Sequence, residues 1–315
     1  MEVMVRRPLP LEVLGTGLGY TEGPVVGLDG TVHAVDLAEG RIWRFDGGEP
    51  AVAAQVAGCP NGMALVAPTT AVVANNGGFP WTEFGGARHP IDVAAHTNEP
   101  PDFGGGWLER VDLATGDVTR LFGGPTYRGP NDLVVDEAGG IWFTDTGKFR
   151  RADVDHGTVH YLAPDGTVEP RLFPLLGPNG IGLSPEGDRL YVAETLTGRL
   201  WAWEIGEPGE VRRSPAGHPF HGGVCVAATP YTLDSLAVEA DGRIAIGAIS
   251  DGVVVITPDG SELEVHPVPG DIVTNLAFGG PDGRRAVLTL ARSGSVVETT
   301  WPRPGLPLHA RTVGR

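Results

Sequence analysis

Hydrophobic and polar residues alternate with a period of two along much of this chain, and one version of the alternation recurs. In each copy a polar residue is followed by a short apolar alternation, a turn and a second apolar alternation. Period-two alternation on both sides of an Asp-Gly, Glu-Gly or Gly-Gly turn predicts a β-hairpin. Six copies occur, the looser ones included, and they begin at Glu22, Asn61, Asn131, Asn179, Asp234 and Asn275.

The spacing of the copies predicts the architecture. Their first residues lie about 51 residues apart on average, and short strands are predicted between them, for example over 40–46, 108–112 and 198–203. Four strands in such a unit are typical of a propeller blade. The sequence therefore predicts an all-β fold, a six-bladed β-propeller with four-stranded blades around a central channel. An open β-solenoid would need shorter and more uniform turns, and a two-domain β-sandwich would not explain six matching hairpins.

Residues 1–315 are expected to form one propeller domain with a single large insertion. The second and third copies are 70 residues apart, and the excess falls at about 81–106, which is rich in glycine and proline and lacks clean alternation. We interpret this segment as a surface loop over the channel mouth, because it follows the second arm of a hairpin. Residues 295–301 are expected to pair with strands near the N-terminus and so close the ring.

Composition narrows the choice of partners. The chain has 23 basic and 39 acidic side chains, a formal net charge of −16, and 48 glycines and 28 prolines. Nucleic acid and anionic membranes are excluded as partners because both require a basic surface. We expect a cytoplasmic protein, a monomer or weak homo-oligomer, with Cys59 and Cys225 as free thiols. Lys148 is the only lysine, which we interpret as codon bias rather than function.

The six copies begin with carboxylate or carboxamide side chains only. In a propeller the residue before each innermost strand lies at one rim of the channel, so these six side chains are expected to ring one channel mouth. Oxygen ligands of this kind suit Ca²⁺, Mg²⁺ or Mn²⁺. A single asparagine at such a position is usually explained by capping of local backbone groups, but six in phase favour a cation site.

A second layer of polar residues stands where the second arm of each hairpin ends. Hairpin geometry brings these residues back beside the start of the first arm. Asp36, Asn75, Asp145 and Glu194 are therefore candidates to orient the rim residues by hydrogen bonds. The alternative is that they face solvent or turns at the hairpin ends.

Several motifs resemble the SMP-30/gluconolactonase (regucalcin-like) family across residues 15–305. They are EGP at 22–24, PNG at 60–62, GPNDL at 129–133, PNGIGLSPEGDRLYVAET at 178–195 and TLDSLAV at 232–238. The resemblance implies a six-bladed propeller with one divalent metal at the channel mouth and hydrolysis of lactones, or of phosphotriesters in related propellers. Ca²⁺ is the first choice of metal, with Zn²⁺, Mn²⁺ and Mg²⁺ as alternatives.

The resemblance also implies roles for individual residues. The metal ligands fall on Glu22, Asn131, Asn179 and Asp234, and Asn131 is also a candidate substrate contact, as are Asn61, Arg128 and Asn275. Some sugar lactonases of the family carry a basic residue two positions before the Asn of the ND motif. This chain has Gly129 there, with Arg128 one residue further back.

The leading interpretation is a metal-dependent hydrolase that opens a small lactone or related ester. The metal would polarise the ring carbonyl and activate a water, and Asp234 would take the proton from that water as the catalytic base. In relatives that act on phosphotriesters the same carboxylate could attack directly. The alternatives are another ester or phosphotriester hydrolase, a biosynthetic cyclisation, and a regulatory propeller that binds metal without catalysis.

Overall fold

The computed structural model describes residues 3–306, which form strands, turns and loops but no helix. No helix within these residues is therefore long and apolar enough to cross a membrane. Six sheets follow one another along the chain, and each contains one of the six predicted hairpins as its two inner strands. These hairpin predictions are confirmed.

Each sheet is one blade, numbered here in chain order from the first predicted hairpin. Blade 1 contains β3 (Thr21–Val26), β4 (Val32–Asp36), β5 (Arg41–Phe45) and β6 (Ala51–Gln55). Blade 2 contains β7 (Pro60–Ala67), β8 (Thr70–Asn75), β11 (Gly106–Asp112) and β12 (Val118–Gly124). Blade 3 contains β13 (Pro130–Val135), β14 (Ile141–Asp145), β17 (Gly157–Leu162) and β18 (Val168–Leu175).

The remaining blades depart slightly from four strands. Blade 4 contains β19 (Pro178–Leu183), β20 (Arg189–Glu194) and β21 (Arg199–Ile205), and both β22 (Val211–Arg212) and β23 (Val224–Ala228) pair with β21. Blade 5 contains β24 (Leu233–Val238), β25 (Ile244–Ala248), β26 (Gly252–Ile256) and β27 (Leu263–His266), with β1 (Val3–Arg6) added in parallel. Blade 6 contains β28 (Val273–Gly279), β29 (Arg285–Leu290), β30 (Ser295–Thr300) and β2 (Glu12–Gly15).

The blades form a closed ring. The innermost strands contact one another in the order β3, β7, β13, β19, β24 and β28, and β28 contacts β3 again. The fold is therefore a six-bladed β-propeller. Strand β2 pairs antiparallel with β30, which confirms that residues 295–301 pair with a strand near the N-terminus. Blade 6 is thus built from both ends of the chain, and this pairing covers an edge of β30 that would otherwise be open.

The hydrophobic core is divided among the six interfaces between neighbouring blades. Six clusters of buried side chains each join two adjacent sheets. Between blades 3 and 4, for example, the fully buried Trp142 and Leu190 pack in one cluster with Ile181. This arrangement follows from the alternation, which gives each inner strand an apolar face toward a neighbouring blade.

Below its rim the channel is lined mainly by apolar residues. A small cavity of about 70 Å³ lies between the innermost strands and is lined mainly by aliphatic side chains. Leu306 also lines it, and its backbone N–H donates to Val238 O at 2.9 Å. Because Val238 ends β24 whereas Asp234 stands near its start, Leu306 lies at the end of the channel opposite to Asp234.

The insertion in blade 2 contains regular structure that the sequence pattern does not predict. Strands β9 (Thr82–Phe84) and β10 (Ala87–His89) form a two-stranded hairpin joined by Gly85 and Gly86, both at positive φ. A second short hairpin, β15 (Phe149–Arg150) with β16 (Asp153–Val154), lies in blade 3. Strands of two or three residues carry too little alternation to be recognised in a sequence.

Candidate functional site

The six candidate rim residues occupy equivalent places in the six innermost strands. Each is the second residue of its strand, except in β28, where it is the third. All six are between 3% and 8% exposed. Because these strands contact one another around the ring, their first residues come together at one end of the channel, called the channel mouth below.

Two pairs of rim side chains are joined by hydrogen bonds. Asn179 Nδ2 donates to Asp234 Oδ1 at 2.5 Å, across the interface between blades 4 and 5. Asn275 Nδ2 donates to Glu22 Oε2 at 3.0 Å, across the interface between blades 6 and 1. Each carboxylate therefore receives a carboxamide donor from the preceding blade, which fixes its orientation.

The channel mouth concentrates negative charge in a buried place. Burial raises the pKa of Glu22 to about 7, although hydrogen bonds from Gly23 N and Asn275 oppose the shift. Burial also raises the pKa of Asp234 well above its usual value, and the negative charge of Glu22 adds to the effect. No Lys, Arg or His within residues 6–306 forms an ion pair with either carboxylate. The two carboxylates thus lack a compensating cation from the protein.

The donor set fits a hard divalent cation. Asn61 Oδ1 and Asn131 Oδ1 are buried without any hydrogen-bond partner, which is costly unless another group satisfies them. Two carboxylates and several amide oxygens at one place match the ligands of Ca²⁺ or Mg²⁺. Among the residues described, no three His, Cys, Asp or Glu side chains cluster as a metal site. A cation at the mouth would therefore be bound by amide oxygens as well as by Glu22 and Asp234.

Two further residues at the mouth were not singled out by the sequence analysis. Asp132 is 6% exposed, and burial together with the charge of Glu22 raises its pKa to about 7. Burial and the charges of Asp234 and Glu22 also raise the pKa of Tyr20. Asp132 could have been found as the second residue of the ND motif, whereas no pattern in the sequence points to Tyr20.

The second layer of polar residues binds backbone rather than rim side chains. In four blades the polar residue at the end of the second strand accepts a hydrogen bond from a backbone N–H two or three residues before the rim residue. The donors are Tyr20 N to Asp36 at 3.2 Å, Cys59 N to Asn75 at 3.0 Å, Arg128 N to Asp145 at 2.8 Å and Leu176 N to Glu194 at 2.8 Å. These residues hold the loops that lead into the rim positions, so they orient the rim through the backbone.

Residues 76–105, which connect β8 to β11, are called the roof insertion here. Their aromatic side chains lie beside the mouth: Trp81 packs on Tyr20 with ring centroids 5.6 Å apart, and on Phe79 at 6.3 Å. Arg88 pairs with Glu39 of blade 1 at 2.8 Å. The insertion therefore reaches from blade 2 to blade 1 on the mouth side of the propeller.

The roof insertion also contacts blades 3 and 6. Arg128, the candidate substrate contact, is paired with Glu99 of the insertion and with Asp155, and its guanidinium lies 4.8 Å from the centroid of the Phe103 ring. On the opposite side Arg292 of blade 6 donates to Gly85 O at 3.0 Å. A cavity of about 450 Å³ opens there between the β9–β10 hairpin and the loops of blades 1 and 6, and Tyr20 is part of its wall.

Comparison with known proteins finds a family whose profile covers most of the chain. The sequence profile of the SMP-30/Gluconolactonase/LRE-like region matches residues 20–292. The chain belongs to this family. It is 32% identical over 173 residues to the pentonolactonase XacC of Haloferax volcanii, which is 55% of this chain and 56% of that protein. It is 24% identical over 172 residues to a gluconolactonase of Zymomonas mobilis, 51% of this chain and 48% of that protein. The matches thus span about half the length of these relatives.

Solved structures resemble nearly the full length of this SMP-30/gluconolactonase family member. A candidate gluconolactonase aligns over 95% of this chain and 94% of its own, with 25% identity and a TM-score of 0.71. The calcium-binding protein regucalcin of Agrobacterium tumefaciens aligns over 97% of this chain and all of its own, with a TM-score of 0.72. At 20% identity, the second likeness concerns the fold alone.

Proposed function

We propose that this protein hydrolyses a lactone at the channel mouth, with one divalent cation held by Glu22, Asn131, Asn179 and Asp234. The observation that carries the proposal is the buried mouth itself. Two carboxylates lie there without a protein cation, beside two amide oxygens without a partner. The relatives named pentonolactonase and gluconolactonase support a lactone as the substrate.

Each group at the mouth has a task in this reaction. A bound cation supplies Lewis acidity, which polarises a carbonyl oxygen and makes a water more acidic. Asn61 and Asn275, at the rim positions outside the proposed ligand set, orient the ring by hydrogen bonds. Tyr20 and Trp81 border the mouth and limit the access of bulk water. Such positioning of reactants is a large part of catalysis in general.

Asp234 is the proposed base. Its Oδ1 is occupied by Asn179 Nδ2, which aims the carboxylate, and Asp234 accepts the proton of the water that attacks the carbonyl carbon. As the bond between that carbon and the ring oxygen breaks, the same carboxyl returns the proton to the ring oxygen. One water is consumed for each lactone, and the product is a hydroxy acid.

A pH-stat experiment on a panel of γ- and δ-lactones tests the proposal. The hydroxy acid ionises at neutral pH, so each turnover releases one proton. We expect turnover by the protein reconstituted with Ca²⁺, Mn²⁺, Mg²⁺ or Zn²⁺ and loss of turnover after chelation. Asp234→Asn should abolish most of the rate, whereas Asp259→Asn, in an exposed turn of blade 5, should leave it unchanged.

The same experiment separates the remaining alternatives. Cation binding by calorimetry without turnover of any lactone, aryl ester or phosphotriester would contradict the hydrolase and leave a metal-binding propeller. Turnover of esters or phosphotriesters but not lactones would keep the hydrolytic mouth and change the substrate class. Lactone turnover that is unchanged after chelation, with no cation detected, would contradict the proposed metal site.

A further inference from the structure

Lys148 is the one lysine of the chain, and it is buried. Of the 23 basic residues, the other 22 are arginine. Lys148 is 1% exposed, and no arginine in the described part of the chain is comparably buried. It follows β14 in blade 3, at the mouth end of that blade. A low lysine content by itself does not explain why the one lysine lies at a place from which water is excluded.

Every direct partner of the Lys148 amine belongs to the roof insertion. Its Nζ donates to Gly78 O at 2.8 Å and to Asn76 Oδ1. The same nitrogen lies 3.9 Å from the centroid of the Phe79 ring and 4.8 Å from that of Phe103. Residues 76–79 are the first part of the insertion and Phe103 is near its last part. One amine therefore joins both ends of the insertion and connects them to blade 3.

The other attachments of the roof insertion differ between its two sides. On the blade 3 side, Thr97 Oγ1 donates to Phe149 O at 2.8 Å, and Asn98 Oδ1 accepts from Phe149 N at 2.8 Å. On the other side, the Arg88–Glu39 pair is 37% and 45% exposed, and such pairs contribute little. The insertion thus has buried and part-buried hydrogen bonds to blade 3, whereas its polar contacts with blades 1 and 6 are exposed.

A lysine suits this place better than an arginine. An ammonium is compact and can contact two ring faces while it donates to two oxygens, whereas a guanidinium is planar and wider. Burial lowers the pKa of Lys148 to about 7, so the neutral amine is accessible near neutral pH. The neutral amine still has two N–H donors, so both hydrogen bonds persist in either protonation state.

The partners of Lys148 adjoin the channel mouth. Asn76 N donates to Cys59 O at 2.9 Å, and the Asn76 side chain lies against Gly129. Cys59 and Gly129 precede Asn61 and Asn131 by two residues. Those two rim residues carry the amide oxygens that have no partner. A displacement of Asn76 would therefore shift the backbone that leads into Asn61 and Asn131.

We propose that Lys148 is a positioning residue that fastens both ends of the roof insertion to blade 3 and thereby sets how tightly the channel mouth holds its substrate. The fastening follows from the contacts alone, and the effect on substrate rests on the proposed function. Because the amine does not touch the carboxylates, its loss should weaken substrate binding more than it slows the chemical step.

Hydrogen exchange measured by mass spectrometry tests the fastening without any substrate. In Lys148→Met the amide exchange of residues 76–105 should rise about 10-fold or more, while exchange in blades 4–6 stays unchanged. Phe103→Leu, which keeps apolar volume but removes one ring, should show the same local pattern more weakly. Arg120→Met is the matched control, because Arg120 lies 3.9 Å from the Trp107 ring on an exposed strand, and it should change neither region.

Kinetics with a substrate lactone test the second part of the proposal, the effect of Lys148 on substrate binding. Lys148→Met should raise KM about 10-fold and change kcat by less than about 3-fold, with a smaller change in cation affinity by calorimetry than in KM. Unchanged exchange in residues 76–105, or an equal rise in all six blades, would overturn the fastening role. A fall in kcat as large as the rise in KM would overturn the positioning role. If no lactone is turned over, the proposed function fails while the exchange result still decides the fastening.

Discussion

Glu22 and Asp234 share one buried mouth, but the charges beside them differ. Glu22 Oε2 accepts two donors, Gly23 N at 2.9 Å and Asn275 Nδ2 at 3.0 Å. Asp234 also receives two donors, Asn179 Nδ2 and the Ser235 backbone, but burial and the negative charges of Glu22 and Asp132 raise its pKa well above the usual value. A carboxylate beside further negative charges is the better proton acceptor, and this difference is the reason to separate their roles.

The first prediction compares the two carboxamide variants. Both Asp234→Asn and Glu22→Gln should weaken cation binding, because each keeps a ligating oxygen but loses a negative charge. At saturating cation, Glu22→Gln should recover much of the rate, whereas Asp234→Asn should remain about 10²–10⁴-fold lower in kcat because it cannot accept a proton. Measuring kcat across a cation titration checks this. Equal recovery of both variants would make Asp234 a ligand only.

The second prediction concerns the pH dependence of stability at Lys148. Its pKa is about 7 in the folded protein, against a usual value of 10.5. Between these two pH values the unfolded chain carries a proton on Lys148 that the folded protein does not. The free energy of unfolding therefore rises with pH in this range and decreases as pH falls toward 7. The melting temperature of the wild type relative to Lys148→Met should therefore rise from pH 7 to pH 9. A difference that does not vary with pH would contradict the buried amine.

At the scale of elements, the hairpin repeat and the roof insertion have separate tasks. The six hairpins place the rim residues, because each brings a polar residue to the start of an innermost strand. The roof insertion supplies the aromatic surface beside that rim, through Trp81 and Phe79. The first element is shared by all blades, whereas the second occurs in blade 2 alone.

The third prediction shortens the β9–β10 hairpin. Thr82 and His89 are paired, so residues 83–88 can be replaced by Gly-Gly without straining the remaining chain. The change removes the contacts with Glu39 and Arg292, and KM should change about 10-fold while cation affinity stays the same. Glu39→Gln, which removes only the ion pair, is the control and should have little effect. Loss of cation binding in the shortened variant would show that the hairpin supports the rim itself.

At the scale of the whole molecule, closure of the ring depends on the N-terminal strands. Strand β2 covers the edge of β30, and the pairing joins Glu12 to Glu298 and Val13 to Val297. Leu9 and Leu11, on the way to β2, pack on the core between blades 5 and 6. Strand β1 adds only a fifth, parallel strand to blade 5.

The fourth prediction compares two truncations. Removal of residues 1–16 deletes β1, β2 and the two leucines, so the melting temperature should fall by about 10 °C or more. Removal of residues 1–8 deletes β1 alone and should cost clearly less. Differential scanning calorimetry of both proteins checks the order. Equal losses in melting temperature from the two truncations would contradict the prediction. They would mean that β1, and not β2, stabilises the ring.

Local sequence determined the hairpins and the positions of the rim residues. Alternation with period two and a turn such as Asp29-Gly30, where Gly30 has a φ of 86°, act between residues close in the chain. Such patterns can be read without knowing the fold. The rim residues can be recognised in the same way, because each stands at the same position of a repeated hairpin pattern. They are Glu22, Asn61, Asn131, Asn179, Asp234 and Asn275. Asp132 stood within that pattern and could have been recognised as well.

Only the tertiary structure decided which groups meet across blades. The Asn275–Glu22 bond joins residues 253 positions apart, and Lys148 reaches Asn76 across 72 positions. Arg128 is likewise held by Glu99 of the roof insertion. No local pattern encodes these pairs, because they depend on the closure of the ring and on the path of an insertion without regular alternation. The repeat thus determined where the mouth is, and long-range packing decided what surrounds it.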